Sequence, residues 1–143
     1  MAGEASVRTL IGFLRDEVAA AESYRRALPR FEDAPDGEEL RACLASHERR
    51  ITTLEQRIRD LGGDPRGKDQ SSSVIDLPVI GDDAISALEE REDRGLKHYL
   101  DDVCKLDRDT RRLVAREILP EQVRTYDSLS DLKLARGSSH LRG

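Results

Sequence analysis

Four side chains with the chemistry to form a centre lie on separate helical stripes: Glu17, His47, Glu92 and Glu121. Glu17 shares a face with Leu10, Leu14, Ala21, Tyr24 and Leu28 at three-four spacing. The stretch "LEEREDRGLKHYLDDV" carries the stripe Ile85, Leu88, Tyr99, Val103, Leu106, with Glu92 one heptad before Tyr99, where a core residue belongs. Glu17 precedes Tyr24 by the same heptad, so the two halves of the chain repeat a Glu-to-Tyr pattern. His47 lies between Leu44 and Ile51 on a clean apolar stripe, and Glu121 follows Ile118 by three residues, in a segment whose phase Pro120 can shift. Carboxylates are hard ligands for cations and imidazole adds a nitrogen donor, so a metal centre is one chemistry this set could perform.

A second chemistry needs no metal. Bare carboxylates in a dry core each cost several kcal/mol, so they must be paired, metal-bound, protonated or wet. Arg124 can pair with Glu92 or Glu121 bidentately, His47 can pair with Glu17, and the hydroxyls of Tyr24 and Tyr99 can donate to carboxylates. Plainer readings exist for each group. Glu17 and Glu92 can sit at the stripe edge, His47 can be a satisfied core histidine, the tyrosines can be packing, and Glu121 can be first-turn chemistry after Pro120. His98 and His140 read as exposed. No Ser/His/Asp set, phosphate loop or zinc-type cysteine spacing is present, and no catalytic residue is assigned.

Four helices must position these groups. The first is expected over about 6–28, stopped by Pro29. The second is expected over 36–61, with Asp36 as N-cap, Glu39 completing a capping box, and Gly62-Gly63 then Pro65 ending it. Its stripe is Leu40, Leu44, His47, Ile51, Leu54, Ile58, Leu61. The third spans about 82–106. The fourth spans 109–134, capped by Asp107 or Asp109 and kinked near Arg116, whose carbonyl loses its donor to Pro120. The linker 62–81 is polar at first and apolar from Val74 to Ile80. It is long enough to return the chain along a helix of about 37 Å at 1.5 Å per residue. The tail 135–143 is expected to be disordered. Short connections within each half and one long crossover between the second and third helices predict an all-α four-helix bundle of ferritin-like topology, a single domain over 1–143.

Composition narrows the function. Of 143 residues, 37% are charged and 3% aromatic, which favours helices with a core of Leu, Val, Ile and Ala. A net charge of −5 argues against nucleic acid as partner. No apolar run approaches the roughly 20 residues that span a bilayer, and the N-terminus lacks signal-peptide features, so the expected address is the cytoplasm. Cys43 and Cys104 are expected to be reduced, at the core edge.

The segments "LRDEVAAAESY", "ASHERRITTLEQRIRDLGG", "ALEEREDRGLKHYLDD" and "LPEQVRTYDSL" together cover most of residues 6–134. In this layout the chain resembles the ferritin-like superfamily, nearest to small bacterial bundles known as domains of unknown function, with rubrerythrin and bacterioferritin more distant. Metal-binding members carry one glutamate on each of two helices and Glu-x-x-His on each of the other two. The resemblance implies that Glu17 and Glu92 match the single glutamates. His47 matches one histidine, with Leu44 in its glutamate's place, and Glu121 matches one glutamate, with Arg124 in its histidine's place. Tyr126-Asp127 stands where related bundles show His-Asp. Tyr24, Tyr99, Arg124 and Tyr126 would surround the site. Three carboxylates against Arg124 leave two negative charges, which suits one divalent ion or none rather than a two-metal oxidase centre. Two functions follow from the resemblance. One is a stress-related structural or interaction protein with a degenerate centre, plausible as a homodimer. The other is a metalloprotein binding iron, manganese or zinc, with redox or iron-handling activity.

Overall fold

In the computed structural model of the chain, residues 2–66 and 81–142 are described, with side chains described for 3–66 and 84–137. Among the described residues the architecture is all-helical. Helix α1 (Ala2–Ala27) passes into a 3-10 turn (Leu28–Phe31) with Pro29 in its first positions, as expected of a residue that cannot continue the hydrogen-bond ladder. Helix α2 (Asp36–Asp60) follows, and then α3 (Gly81–Asp102) with a 3-10 turn at Val103–Lys105. The last rod is composite: α4 (Arg108–Leu113), a π-helical turn (Val114–Ile118) and α5 (Leu119–Arg142). It runs past the expected end at Leu134, so residues 135–142 continue the helix instead of forming a disordered tail.

The π turn is where the kink near Arg116 was expected. Pro120 has no N–H for the Arg116 carbonyl, and a wider turn absorbs that vacancy. The turn also corrects a phase. Thr110, Val114, Ile118 and Gln122 are all buried, three successive steps of four residues. In a regular helix each such step drifts by ~40°, so the fourth residue would leave the core face. One extra residue in the turn takes back ~100° and keeps all four inside.

The caps divide. Asp107 caps α4, its carboxylate accepting from Thr110 N at 3.2 Å. Asp36 does not cap α2: it is the first helical residue, the cap position is Pro35, and its carboxylate pairs with Arg136 at 2.5 Å. Gly62, at φ +83°, ends α2 in the left-handed region, and Gly63 N returns to the Ile58 carbonyl at 2.9 Å.

Helix α1 packs on α2, α3 packs on α5, and α1 joins the two hairpins by packing on α3. Asp16 meets His98 while Tyr24 meets Glu92, so α1 and α3 run antiparallel. Gly63, after α2, lies near Val7, whereas Ala84, at the start of α3, joins the cluster of Ala27 and Leu40. The expected crossover lies in residues 67–80, outside the described residues, and the apolar segment Val74–Ile80 with it. Two apolar clusters form the core. One holds Leu10, Phe13, Leu14, Leu54, Ile58 and Ile118; the other holds Tyr24, Phe31, Leu40, Ile85, Leu88 and Leu129. Each well-buried side chain of this size contributes about 1.5–3 kcal/mol. Between the clusters lies a layer of polar groups. Both cysteines are free, but only Cys43 is buried; Cys104 is exposed and not part of the core edge.

Candidate functional site

Three helices deliver charged groups to one layer, and a fourth adds neutral polar ones. Glu17 comes from α1, His47 and Arg50 from α2, and Glu92 from α3; each is at most 2% exposed. The α5 segment adds Gln122 and Thr125, also buried. Glu17 and Glu92 occupy core positions of their stripes, so the repeated Glu-to-Tyr heptads do face inward. Tyr24 and Tyr99, two turns further along, reach across to the other half's carboxylate: Tyr24 OH donates to Glu92 Oε2 at 2.8 Å and Tyr99 OH donates to Glu17 Oε1 at 2.7 Å.

His47 stands between the two carboxylates. Its Nδ1 lies 2.6 Å from Glu17 Oε2 and its Nε2 lies 2.6 Å from Glu92 Oε2. A neutral imidazole has one N–H, so it could satisfy only one of these contacts and would aim a lone pair at the other carboxylate. With both carboxylates ionised, the two contacts are satisfied together only by the imidazolium. Burial pulls the His47 pKa down, but the Glu92 and Glu17 carboxylates outweigh it and raise the value to about 9. Burial pushes Glu92 up, and His47, Arg50 and the Thr125 hydroxyl outweigh it, bringing Glu92 to about 2. Both tyrosines are pushed well above the ordinary phenol value, by burial first and then by the carboxylates they serve.

Arg50 is the second cation. It is 1% exposed. Its Nη1 donates to Glu17 Oε1 at 3.2 Å and to Gln122 Oε1. Its Nη2 donates to Thr125 Oγ1 at 3.0 Å and Ser46 Oγ at 3.3 Å, and its Nε donates to the Ser46 carbonyl at 3.4 Å. Glu92 Oε1 accepts from Thr125 Oγ1 at 2.6 Å and Gln122 Nε2 at 3.2 Å. Every polar group of the layer thus has a partner. Two carboxylates, one imidazolium and one guanidinium sum to zero charge.

The remaining candidates lie elsewhere. Glu121 is outside the layer: it is half-buried and accepts from Ser46 Oγ at 2.7 Å, and its side chain pairs with Arg49 at 3.5 Å and Arg124 at 3.4 Å. The Ser46 hydrogen bond lowers its pKa first, and the neighbouring arginines add to that. Arg124 is 71% exposed and touches Glu121 within its own helix, so it is not the cation of the core. The π turn explains both shifts. It brings Gln122 and Thr125 onto the inner face and leaves Glu121 and Arg124, one residue earlier in each case, on the rim. Tyr126 is half-buried and takes no part in the layer's hydrogen bonds. Leu44 is likewise half-buried, packed against the apolar cluster of Leu40 and Leu129.

Arg50, Gln122 and Thr125 escape the stripe reading because they are polar. Their signal was spacing. Leu40, Cys43, His47, Arg50 and Leu54 alternate steps of three and four, and all are buried, while Leu44 and Ile51 of the expected stripe are only half-buried. Charge at position 50 hides that alternation from a search for apolar residues. His98 also departs from expectation: it is half-buried, with Nδ1 2.5 Å from Asp16 and Nε2 3.2 Å from Asp102. Those carboxylates raise its pKa, the hydrogen bond to Asp16 foremost. His140 lies outside the residues whose side chains are described.

A cleft of about 210 Å³ between α1 and α3 reaches this layer, lined by Glu17, His47, Glu92 and Gln122, with Asp16 and Arg91 among its outer residues. The donor set does not fit the two-metal pattern. Both ring nitrogens of His47 face carboxylates, those carboxylates lie on opposite edges of the ring, and a guanidinium already holds Glu17. Among the described residues no group of three or more His, Cys, Asp or Glu is disposed to hold a metal ion. Comparison of the chain with family models, curated proteins and solved structures returns no match.

Proposed function

We propose that this chain is a ferritin-like bundle that acts as a structural or interaction protein, its core carboxylates neutralised by its own side chains instead of by metal. The observation that carries the reading is the position of the His47 ring between the Glu17 and Glu92 carboxylates, one nitrogen 2.6 Å from each, which an imidazolium satisfies. With Arg50 beside it, the layer is neutral and saturated with hydrogen bonds, which leaves no charge for a divalent ion to satisfy. The same saturation argues against catalysis, because no group in the layer has a free valence for substrate. A cytoplasmic homodimer with a stress-linked role completes the proposal, as the resemblance to small bacterial bundles implies; light scattering on the purified chain checks the dimer.

The alternative is metal binding through Glu17, His47, Glu92 and Glu121, and its support is the cleft that reaches the first three. Metal analysis after loading with iron, manganese and zinc separates the two. Under the proposal, bound metal is sub-stoichiometric and unchanged in Glu92→Ala. One or more equivalents per chain, lost in Glu92→Ala, would establish the alternative instead.

A further inference from the structure

Arg91 and Arg94 lie one turn apart on α3, and both line the cleft of about 210 Å³ between α1 and α3. Arg94 is exposed and makes no ion pair among the described residues. Arg91 is half-buried, and its Nη2 donates to the Asp16 carbonyl at 3.3 Å. Burial lowers the Arg91 pKa foremost, Asp16 opposes that, and the charge of Arg94 adds to it, so the two guanidiniums repel each other across the turn.

The charge around the cleft is positive. Its lining holds three carboxylates, Asp16, Glu17 and Glu92, and three cations, His47, Arg91 and Arg94. Arg50, behind the lining, donates to Glu17 and Gln122 and brings the sum to plus one. The carboxylates are engaged within the fold: Glu17 and Glu92 meet His47, and Asp16 meets His98. An anion beside Arg94 would cancel the excess and relieve the repulsion between the two guanidiniums. The planar guanidinium fork matches a carboxylate, which it can hold by two parallel hydrogen bonds.

The shape of the cleft limits the rest of the ligand. Its volume lies below the ~300–1,000 Å³ of sites for drug-sized molecules, which leaves no room for a nucleotide or a peptide segment. Ala20 and Gly95 are its smallest lining residues, with Gln122 beyond. A Cβ at position 95 would come within 3.1 Å of Gln122 Nε2, so glycine keeps that side open. The polar groups of the buried layer already have partners, so a ligand body reaching past the arginines gains by covering apolar surface and not by new hydrogen bonds.

We propose that this cleft binds a small free carboxylate of about the size of butyrate, its carboxylate on Arg94 beside Arg91 and its short apolar body between Ala20 and Gly95. Binding is non-covalent and involves no reaction of the layer, so the proposal goes beyond the structural reading above and does not depend on it.

The test is titration of the whole chain, without added metal and at low salt and neutral pH, with butyrate, acetate and sulfate, followed by nuclear magnetic resonance. Butyrate is expected to saturate with a Kd of about 1 mM or tighter. It should shift the backbone amides of Ala20 and Gly95 and the side-chain amide of Gln122. Acetate lacks two methylenes to bury and should bind at least about threefold more weakly, and sulfate, which has no apolar body, should also bind more weakly than butyrate. Arg94→Gln, an exposed change that leaves the fold intact, should weaken butyrate at least about tenfold. Arg124→Gln removes the same charge from the separate groove between α2 and α5 and should stay within about twofold of wild type. The proposal is overturned if butyrate does not saturate, if Arg94→Gln binds it as well as wild type, or if Arg124→Gln weakens it equally. Sulfate or acetate binding as tightly as butyrate overturns it too, because the cleft would then take no ligand body. None of these outcomes bears on the metal-loading experiment, which tests the structural reading separately.

Discussion

At the scale of single residues, two arginines on facing helices separate by burial alone. Arg50 is 1% exposed and serves Glu17, whereas the Arg124 side chain is 71% exposed and serves Glu121. Removing a buried member of a charge network strands its partner at about 3–5 kcal/mol, while an exposed pair of this kind is worth ~0–1 kcal/mol. Arg50→Met is therefore expected to lose about 3–5 kcal/mol in metal-free urea denaturation, and Arg124→Met to stay within about 0.5 kcal/mol of wild type. Equal costs for the two would place the cation of the core wrongly. Arg124 drew attention by standing in a histidine's place, but only packing could show that the π turn moves it to the rim.

The tyrosines belong to the same scale. Each donates one hydrogen bond to a buried carboxylate across the bundle. Phe13 packs against Tyr99 with ring centroids 4.5 Å apart, and Tyr24 lies 5.2 Å from His47. Tyr99→Phe preserves this packing and removes one donor of Glu17, which keeps His47 and Arg50. The expected loss is about 1–2 kcal/mol, measured by thermal unfolding, since hydrogen bonds to charged groups contribute more than neutral ones. No loss would mean that the hydroxyl is dispensable to the layer.

At the scale of elements, the fourth rod decides the site. The steps of four from Thr110 to Gln122 need the extra residue of the π turn whether or not Pro120 is present. Pro120→Ala restores a donor without altering that need, so it should change stability by no more than about 1 kcal/mol. Deleting the exposed Arg116 removes the extra residue and turns Gln122 and Thr125 away from Arg50 and Glu92. That deletion should cost at least about 3 kcal/mol in urea denaturation, as expected for a broken buried network. A tolerated deletion would show that the π turn does not set the register. Pro120 made an irregular turn near Arg116 legible in advance, and the structure shows a π turn there; its consequence for phase was not legible. Periodicity predicts a face only while the turn size is constant, and a π insertion breaks that condition.

At the scale of the whole molecule, the layer links stability to pH on both sides. The folded pKa of His47, about 9, lies above its ordinary 6.5, so its contribution is full below pH 6.5 and disappears as pH rises through 9. The folded pKa of Glu92, about 2, lies below its ordinary 4.5, so its contribution is full above pH 4.5 and disappears as pH falls through 2. The two report one contact and are not added. Stability is expected to peak between about pH 4.5 and 6.5, with a loss of about 3 kcal/mol toward pH 9.5 and a comparable one toward pH 2. Urea midpoints across this range check it, and a flat alkaline limb would show that His47 is not charged in the fold.

The sequence alone determined the helices, and with them the inward direction of Glu17, His47 and Glu92, because three-four periodicity is a local property of the backbone. It also made the termination at Pro29, a cap at Asp107 or Asp109 and the glycine end of α2 legible, for the same reason. Which cations meet those carboxylates was decided only by the tertiary structure. Arg50 and Arg124 are chemically alike, and although the three-four alternation of α2 turns Arg50 inward, nothing local shows that Arg124 lies on the rim. That choice depends on the register of α5 against α2, set by one inserted residue in the π turn, and on the requirement that a buried layer sum to zero charge.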